Sequence, residues 1–224
     1  MLNKKLITQE QLTSDVRAHL AWDTRVDDFE IVVSVVGRSV SLSGAVASLY
    51  EKVVAENVAY GVAGVSSVIN GLTIREQALA CKKSDEDIQH CVEGTLASKH
   101  SLVSGGITVL VAHGCVTLTG AVRYLWQKRR VDEIVGDVAG VIDLCNALAV
   151  LPPTQVSDEK ITADISNGFS RSKFIREGEI TTEVDGGQVT ISGKVKAGRI
   201  REAVVSVVER TLGVVSLRNL VLVE

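Results

Sequence analysis

Aromatic side chains make up only 4% of this 224-residue chain, which leaves little aromatic recognition surface and points to an aliphatic core. There are two prolines, side by side at Pro152 and Pro153, so stiffness is confined to one joint. No stretch approaches the 18 apolar residues that a membrane span requires. Charge of one sign is also missing: the net charge is -3. Division at Glu76 and Pro153 gives segments with 7 basic against 9 acidic, 7 against 8, and 10 against 10 residues. No segment is a strongly basic footprint, which argues against nucleic acid as a partner. The four cysteines, Cys81, Cys91, Cys115 and Cys145, crowd into the middle third. A disulfide framework would spread its bonds more evenly, so the expectation is free thiols in a reducing compartment.

The N-terminus, Met1 to Glu10, starts basic but has no apolar run behind it, so it does not read as a secretory signal. The sequence as it stands reads as cytoplasmic. A periplasmic protein with its export segment removed would read the same way.

What the chain does have is repetition. Val40-Ser41-Leu42-Ser43-Gly44-Ala45-Val46 returns as Val116-Thr117-Leu118-Thr119-Gly120-Ala121-Val122, and again as Val189-Thr190-Ile191-Ser192-Gly193-Lys194-Val195. The glycines are 76 and 73 residues apart, the length of a small domain rather than of a solenoid unit. Each motif alternates like a strand and follows another alternating segment, at residues 31–36, 107–112 and 180–184, across a short glycine-bearing connector. These are expected hairpins. Gly44, Gly120 and Gly193 mark a corner that needs positive φ or close backbone approach. A lone glycine without a following lysine and hydroxyl residue is no phosphate loop.

A helix is expected after each corner, on the periodicity of Tyr50, Val54, Val58 and Val62, of Trp126, Val131, Ile134, Val135 and Val138, and of Ile200, Val204, Val207, Val208 and Thr211. Valine is a poor helix former, so burial against a sheet must outweigh propensity. Glycine turns at Gly64, Gly140 and Gly213 lead to a third strand bearing Asn70, Asn146 or Asn219. These asparagines are expected to bond nearby backbone, or else to frame three equivalent pockets. Each unit opens with a helix, on faces Leu12, Val16 and Leu20, then Ile88, Cys91, Val92, Thr95 and Leu96, then Ile161, Ile165 and Phe169. Ser84 with Asp87, and Ser157, are candidate N-caps. The order is α-β-β-α-β, with two helices on one face of a three-stranded mixed sheet. The units span 1–76, 84–150 and 154–224, with linkers at 77–83 and 151–153. Ala78, Leu79 and Ala80 suggest that the first linker is partly packed.

The initial helix, paired strands, Gly-ended strand, valine-rich helix and following Gly64-Val65, Gly140-Val141 and Gly213-Val214 resemble the BON domain, named for bacterial OsmY and nodulation proteins. The resemblance covers most of the chain in three copies. It implies an α/β fold of the α+β type and no established catalytic residues. It also implies association with osmotic or envelope stress, secretins, mechanosensitive channels and phospholipid-rich surfaces, often in the periplasm. Lys194, where the other copies have alanine, departs from the repeated motif and is expected to be exposed.

Chemistry beyond binding finds little support. His90 and Cys91 point apart on a helix, and Cys91 is expected to be buried on its apolar face. His113 and Cys115 sit at a hairpin turn without the spacing of a paired-cysteine knuckle, and Cys81 and His100 are merely not far away in sequence, so no metal and no cofactor is expected. No nucleophile is placed near a base, and the third copy has no histidine, so the reading is not an enzyme. The expected function is a stress- or envelope-associated binding protein contacting anionic phospholipid. Candidate contacts are Arg129 and Arg130, then Lys194, Lys196, Arg199 and Arg201, with Lys173 and Arg176 as another basic opening. The alternative is a scaffold that binds a protein partner at an exposed sheet edge.

Overall fold

The computed structural model describes residues 8–75, 83–99, 106–175, 178 and 180–223. Arg176, Cys81, His100 and the Ala78–Ala80 linker segment lie outside the described residues.

Three α-β-β-α-β units follow one another. The first contains α1 (Gln9–Trp22), β1 (Val32–Val36), β2 (Ser39–Val46), α2 (Leu49–Tyr60) and β3 (Ser67–Ile74), with a short 3-10 turn at Asp28–Glu30. The second contains α3 (Asp85–Ala97), β4 (Ile107–Ala112), β5 (Cys115–Val122), α4 (Leu125–Gly136), β6 (Asp143–Asn146) and β7 (Ala149–Val150). The third contains α5 (Asp158–Arg171), β8 (Ile180–Asp185), β9 (Gln188–Val195), α6 (Gly198–Arg210) and β10 (Ser216–Val223). In each unit the hairpin is antiparallel, and the last strand returns parallel to the second after its helical crossover. The registers correspond, with Val40 opposite Val68, Val116 opposite Leu144, and Val189 opposite Leu217. The middle unit differs in that its last strand is interrupted and continues as β7 along β5.

The repeated corner has a steric cause. Gly44 has φ +115°, and a Cβ there would lie 2.0 Å from the Glu30 carbonyl oxygen. Gly120 has φ +128°, with the Gly106 oxygen 2.5 Å from the same point. The first strand therefore runs too close for any side chain at the corner. At Gly213 the crowding comes from Val156 and Ile161, both 2.9 Å from a Cβ, because the turn after α6 lies against the opening helix.

Alternate positions of each central strand, such as Val40, Leu42 and Val46, are buried beneath the helices. The buried positions of the opening helices narrow to one i, i+4 stripe: Leu12, Val16 and Leu20, or Ile88, Val92 and Leu96. Cys91 lies beside that stripe and is exposed, contrary to the expectation of burial, with its Sγ 3.5 Å from Lys83 Nζ. The contact stripe of so small a sheet is too narrow to cover it. The matching positions of α1 and α5 are the acids Asp15 and Asp164. Ser84 and Asp87 form a reciprocal cap, and Ser157 caps α5.

The three crossover helices also pack on one another in a cycle, each start meeting the end of another. Gly136 at the end of α4 faces Tyr50 at the start of α2, where a Cβ would be 3.2 Å from the Tyr50 nitrogen. Arg129 near the start of α4 pairs with Glu209 near the end of α6 at 3.1 Å. Gly198 at the start of α6 meets Gly61 after α2, with a Cβ only 2.6 Å from the Gly61 oxygen. The units thus form a closed cluster, and Val205, Leu49 and Leu125 bury apolar surface where they join.

Candidate functional site

The start of α4 places a run of polar residues in different settings within two turns. Gln127 is buried, and its Oε1 accepts from the backbone N–H groups of Arg123 and Tyr124. Lys128 Nζ donates to the Leu148 carbonyl at 2.8 Å. Arg129 and Arg130 project outward and share Glu133, while Arg129 also donates to Glu209.

These two arginines line a groove of about 580 Å³ where the units meet. Arg25 of the first unit, Lys99 of the second and Arg210 of the third complete five cationic groups, against the carboxylates of Glu133, Glu202 and Glu209. Trp126 and Ile134 supply its apolar wall. Trp126 stacks on Tyr124 with ring centroids 6.4 Å apart. Arg25 is clamped by Asp23 through two side-chain contacts, at 2.9 and 2.6 Å. Burial pushes the Glu209 carboxyl up from its usual range, and Arg129 only partly offsets this. Lys99 and Arg210 make no direct ion pair among the described residues, so their charge faces the groove with less compensation.

The remaining sequence candidates lie elsewhere. Lys194 lies on the face of the third sheet turned away from the helices, while Lys196 and Arg199 are exposed at the corner before and within the start of α6. Arg201 is turned inward, 4.7 Å above the Tyr60 ring. Lys173 is exposed beyond α5. The six basic candidates therefore do not form one surface. Sequence inspection missed Arg25, Lys99 and Arg210 because each is an isolated charge in a different repeat.

The repeated asparagines are ties between strand and helix. Asn70 Nδ2 donates to the Lys52 carbonyl and to Glu56, and its Oδ1 accepts from Leu72 N–H. Asn146 makes the same set with Lys128, Asp132 and Leu148. Among the described residues, Asn219 keeps only the strand part, accepting from Val221 N–H at 3.0 Å. A second kind of tie is absent from the sequence reading. Asp85 accepts from the His113 and Gly114 N–H groups, and Asp158 from those of Gly186 and Gly187, holding each hairpin turn to the opening helix. The spacing of an acid at the start of the helix and a glycine turn 28 or 29 residues later is the signal that could have found it. These backbone bonds hold the Asp85 carboxyl below its ordinary range.

Among the described residues, no three His, Cys, Asp or Glu side chains gather to hold a metal ion, and no helix is long and apolar enough to cross a membrane. With five cationic groups against three carboxylates, the groove carries a modest positive excess beside an apolar wall, which can attract an anionic group.

A family model for the BON domain matches residues 8–76, 84–152 and 157–224. No curated protein matches. Among solved structures, the chain is similar to the C-terminal domain of CdsD, a structural protein of the type III secretion system of Chlamydia trachomatis. The identity is 14% and the TM-score 0.26, over 97% of this chain and 100% of that one. A second CdsD structure from the same organism matches at 14% identity and TM-score 0.26, over 95% of this chain and 92% of that one.

Proposed function

The chain belongs to the BON domain family, and on that premise we propose that it is a non-enzymatic, stress- or envelope-associated binding protein that contacts anionic phospholipid headgroups. The observation that carries this reading is the groove in which Arg25, Lys99, Arg129, Arg130 and Arg210 come together from all three units. A phosphate entering it meets cationic side chains in a partly enclosed setting, where attraction is screened less than on an open surface. Trp126 offers an apolar flank to the rest of a headgroup.

The test is flotation with vesicles of phosphatidylglycerol mixed into phosphatidylcholine, against vesicles of phosphatidylcholine alone. Binding is expected only to the anionic vesicles and is expected to fall with salt. Lys99→Glu together with Arg210→Glu should abolish it, while reversal of the remote Lys173 should not. Equal binding by the wild type and the double variant would defeat this placement.

A second reading rests on the open face of the first sheet. Val32, Val36 and Ile69 are exposed there among Ser34, Ser41, Ser43 and Thr73, with no charge at these positions. Such a face suits a protein partner. Pull-down from osmotically stressed cells separates the two: recovery of one soluble protein, unaffected by salt, favours the scaffold.

A further inference from the structure

A second cavity, of about 360 Å³, lies between α2, α4 and α6, and its chemistry differs from that of the groove. Its central feature is Arg201. The guanidinium packs on the Tyr60 ring and donates one long bond, 3.4 Å, to the Tyr60 carbonyl. It forms no ion pair among the described residues, although burial depresses its pKa by disfavouring the charge. A guanidinium has five N–H donors, and the Tyr60 carbonyl takes only one of these among the described residues.

Asn219 lines the same cavity. In the first two units the equivalent amide donates to a carboxylate, Glu56 or Asp132. Val205 occupies that helix position in the third unit, and the Asn219 NH₂ group has no acceptor among the described residues. The substitution leaves a donor facing the cavity and adds an apolar surface beside it. Leu125, Val205 and Leu217 form that apolar wall. Of the other charges, Arg129 and Glu209 neutralise each other across the joint. Glu202, exposed and next to Arg201 in the helix, also lines the cavity, and its charge partly offsets the effect of burial on Arg201.

We propose that this cavity binds a small monocarboxylate with a short apolar body, its carboxylate on Arg201 and Asn219 and its body against Leu125, Val205 and Leu217. The planar guanidinium matches a carboxylate in two-point contact, and the wall selects against a fully hydrated anion. This goes beyond the headgroup reading: the two cavities share Arg129, Glu202 and Glu209 in their walls, but Arg201 and Asn219 belong to this one, and Lys99 and Arg210 to the groove, so Arg201→Gln and the Lys99→Glu, Arg210→Glu double variant test them separately.

The test is calorimetric titration of the full chain with sodium hexanoate, with hexylamine and inorganic phosphate as comparison probes. Saturable binding of hexanoate with one site per chain is expected, with neither comparison probe matching it. Arg201→Gln should weaken it at least tenfold. Glu202→Gln, an exposed change that leaves the fold intact, should tighten it a few-fold by removing a nearby negative charge. The proposal is overturned if hexanoate shows no saturable binding at millimolar concentration, if hexylamine or phosphate binds equally well, or if folded Arg201→Gln retains wild-type affinity. It is overturned equally if Glu202→Gln fails to tighten binding.

Discussion

Glu51 and Gln127 occupy the same position in the first two units and perform the same task. Glu51 accepts from the N–H groups of Asp27 and Ala47, and Gln127 from those of Arg123 and Tyr124, each from within the core. Glu51 spends both carboxylate oxygens, Oε1 on Asp27 and Oε2 on Ala47, whereas Gln127 serves both of its donors with its one amide oxygen. In the third unit Ile200 stands there, and α6 begins without a side-chain cap.

Glu51→Gln replaces one of the two acceptor oxygens with an NH₂ group facing a backbone N–H, and is therefore expected to cost about 1 kcal/mol or more. Glu51→Ala strands two backbone donors and should cost about 2 kcal/mol or more. Urea denaturation followed by circular dichroism checks both; equal losses would show that the one acceptor kept by glutamine contributes nothing.

Gly44→Ala should destabilise the first unit by about 2 kcal/mol or more, since it combines positive φ with a carbonyl 2.0 Å from the new Cβ. Gly37→Asn is the contrast. Gly37 also has positive φ, at +64°, but nothing lies within 4 Å of a Cβ there, and asparagine tolerates that region. Melting temperatures should fall clearly for the first variant and barely for the second.

Asp132 tests the interior electrostatics. Burial raises its pKa in spite of the bond from Asn146. A carboxyl whose folded pKa exceeds its unfolded one contributes stability that is full below the unfolded value and is lost as pH rises through the folded one. Asp132→Asn keeps an acceptor for Asn146 and removes the costly charge. It should raise the melting temperature by a few degrees at neutral pH, and the advantage should disappear as pH falls to the ordinary aspartate range. An advantage that grows in acid would reverse the assignment.

Asp85 has the opposite sign. Its lowered pKa means that its contribution is present above the unfolded value and lost as pH falls through the folded one. Asp85→Asn should speed hydrogen exchange at the Gly114 amide about tenfold at neutral pH, the loss of roughly one charge-assisted hydrogen bond, and the difference from wild type should close in acid. Exchange unaffected by the substitution would mean that the bond does not protect the turn.

The joint between the second and third units can be tested by charge exchange. Arg129→Glu places like charges together at Glu209 and should loosen the cluster, seen as an increased radius of gyration in X-ray scattering. Adding Glu209→Arg should restore the compact value. Failure of the exchange to restore it would mean that apolar contacts such as those of Leu125 hold the joint unaided.

Within each unit, much was settled by local rules. Alternation set the inward faces of Val40, Leu42 and their counterparts. The three equivalent glycines marked the corner, and repetition turned the valine-rich segment around Val204 into a helix where propensity alone suggests a strand. Cys91 escaped this logic because the width of a buried stripe depends on how much sheet lies beneath it, which periodicity does not report.

The association of the units was not legible. Arg25, Lys99 and Arg210 are unremarkable charges far apart in the chain, and the inward turn of Arg201 depends on Tyr60, 141 residues away. The sequence alone determined three copies of one α-β-β-α-β unit, because backbone sterics and hydrophobic period act over a few residues. Tertiary structure decided which charges share a groove and which donors face a cavity, because those depend on contacts between helices that no repeat specifies by itself.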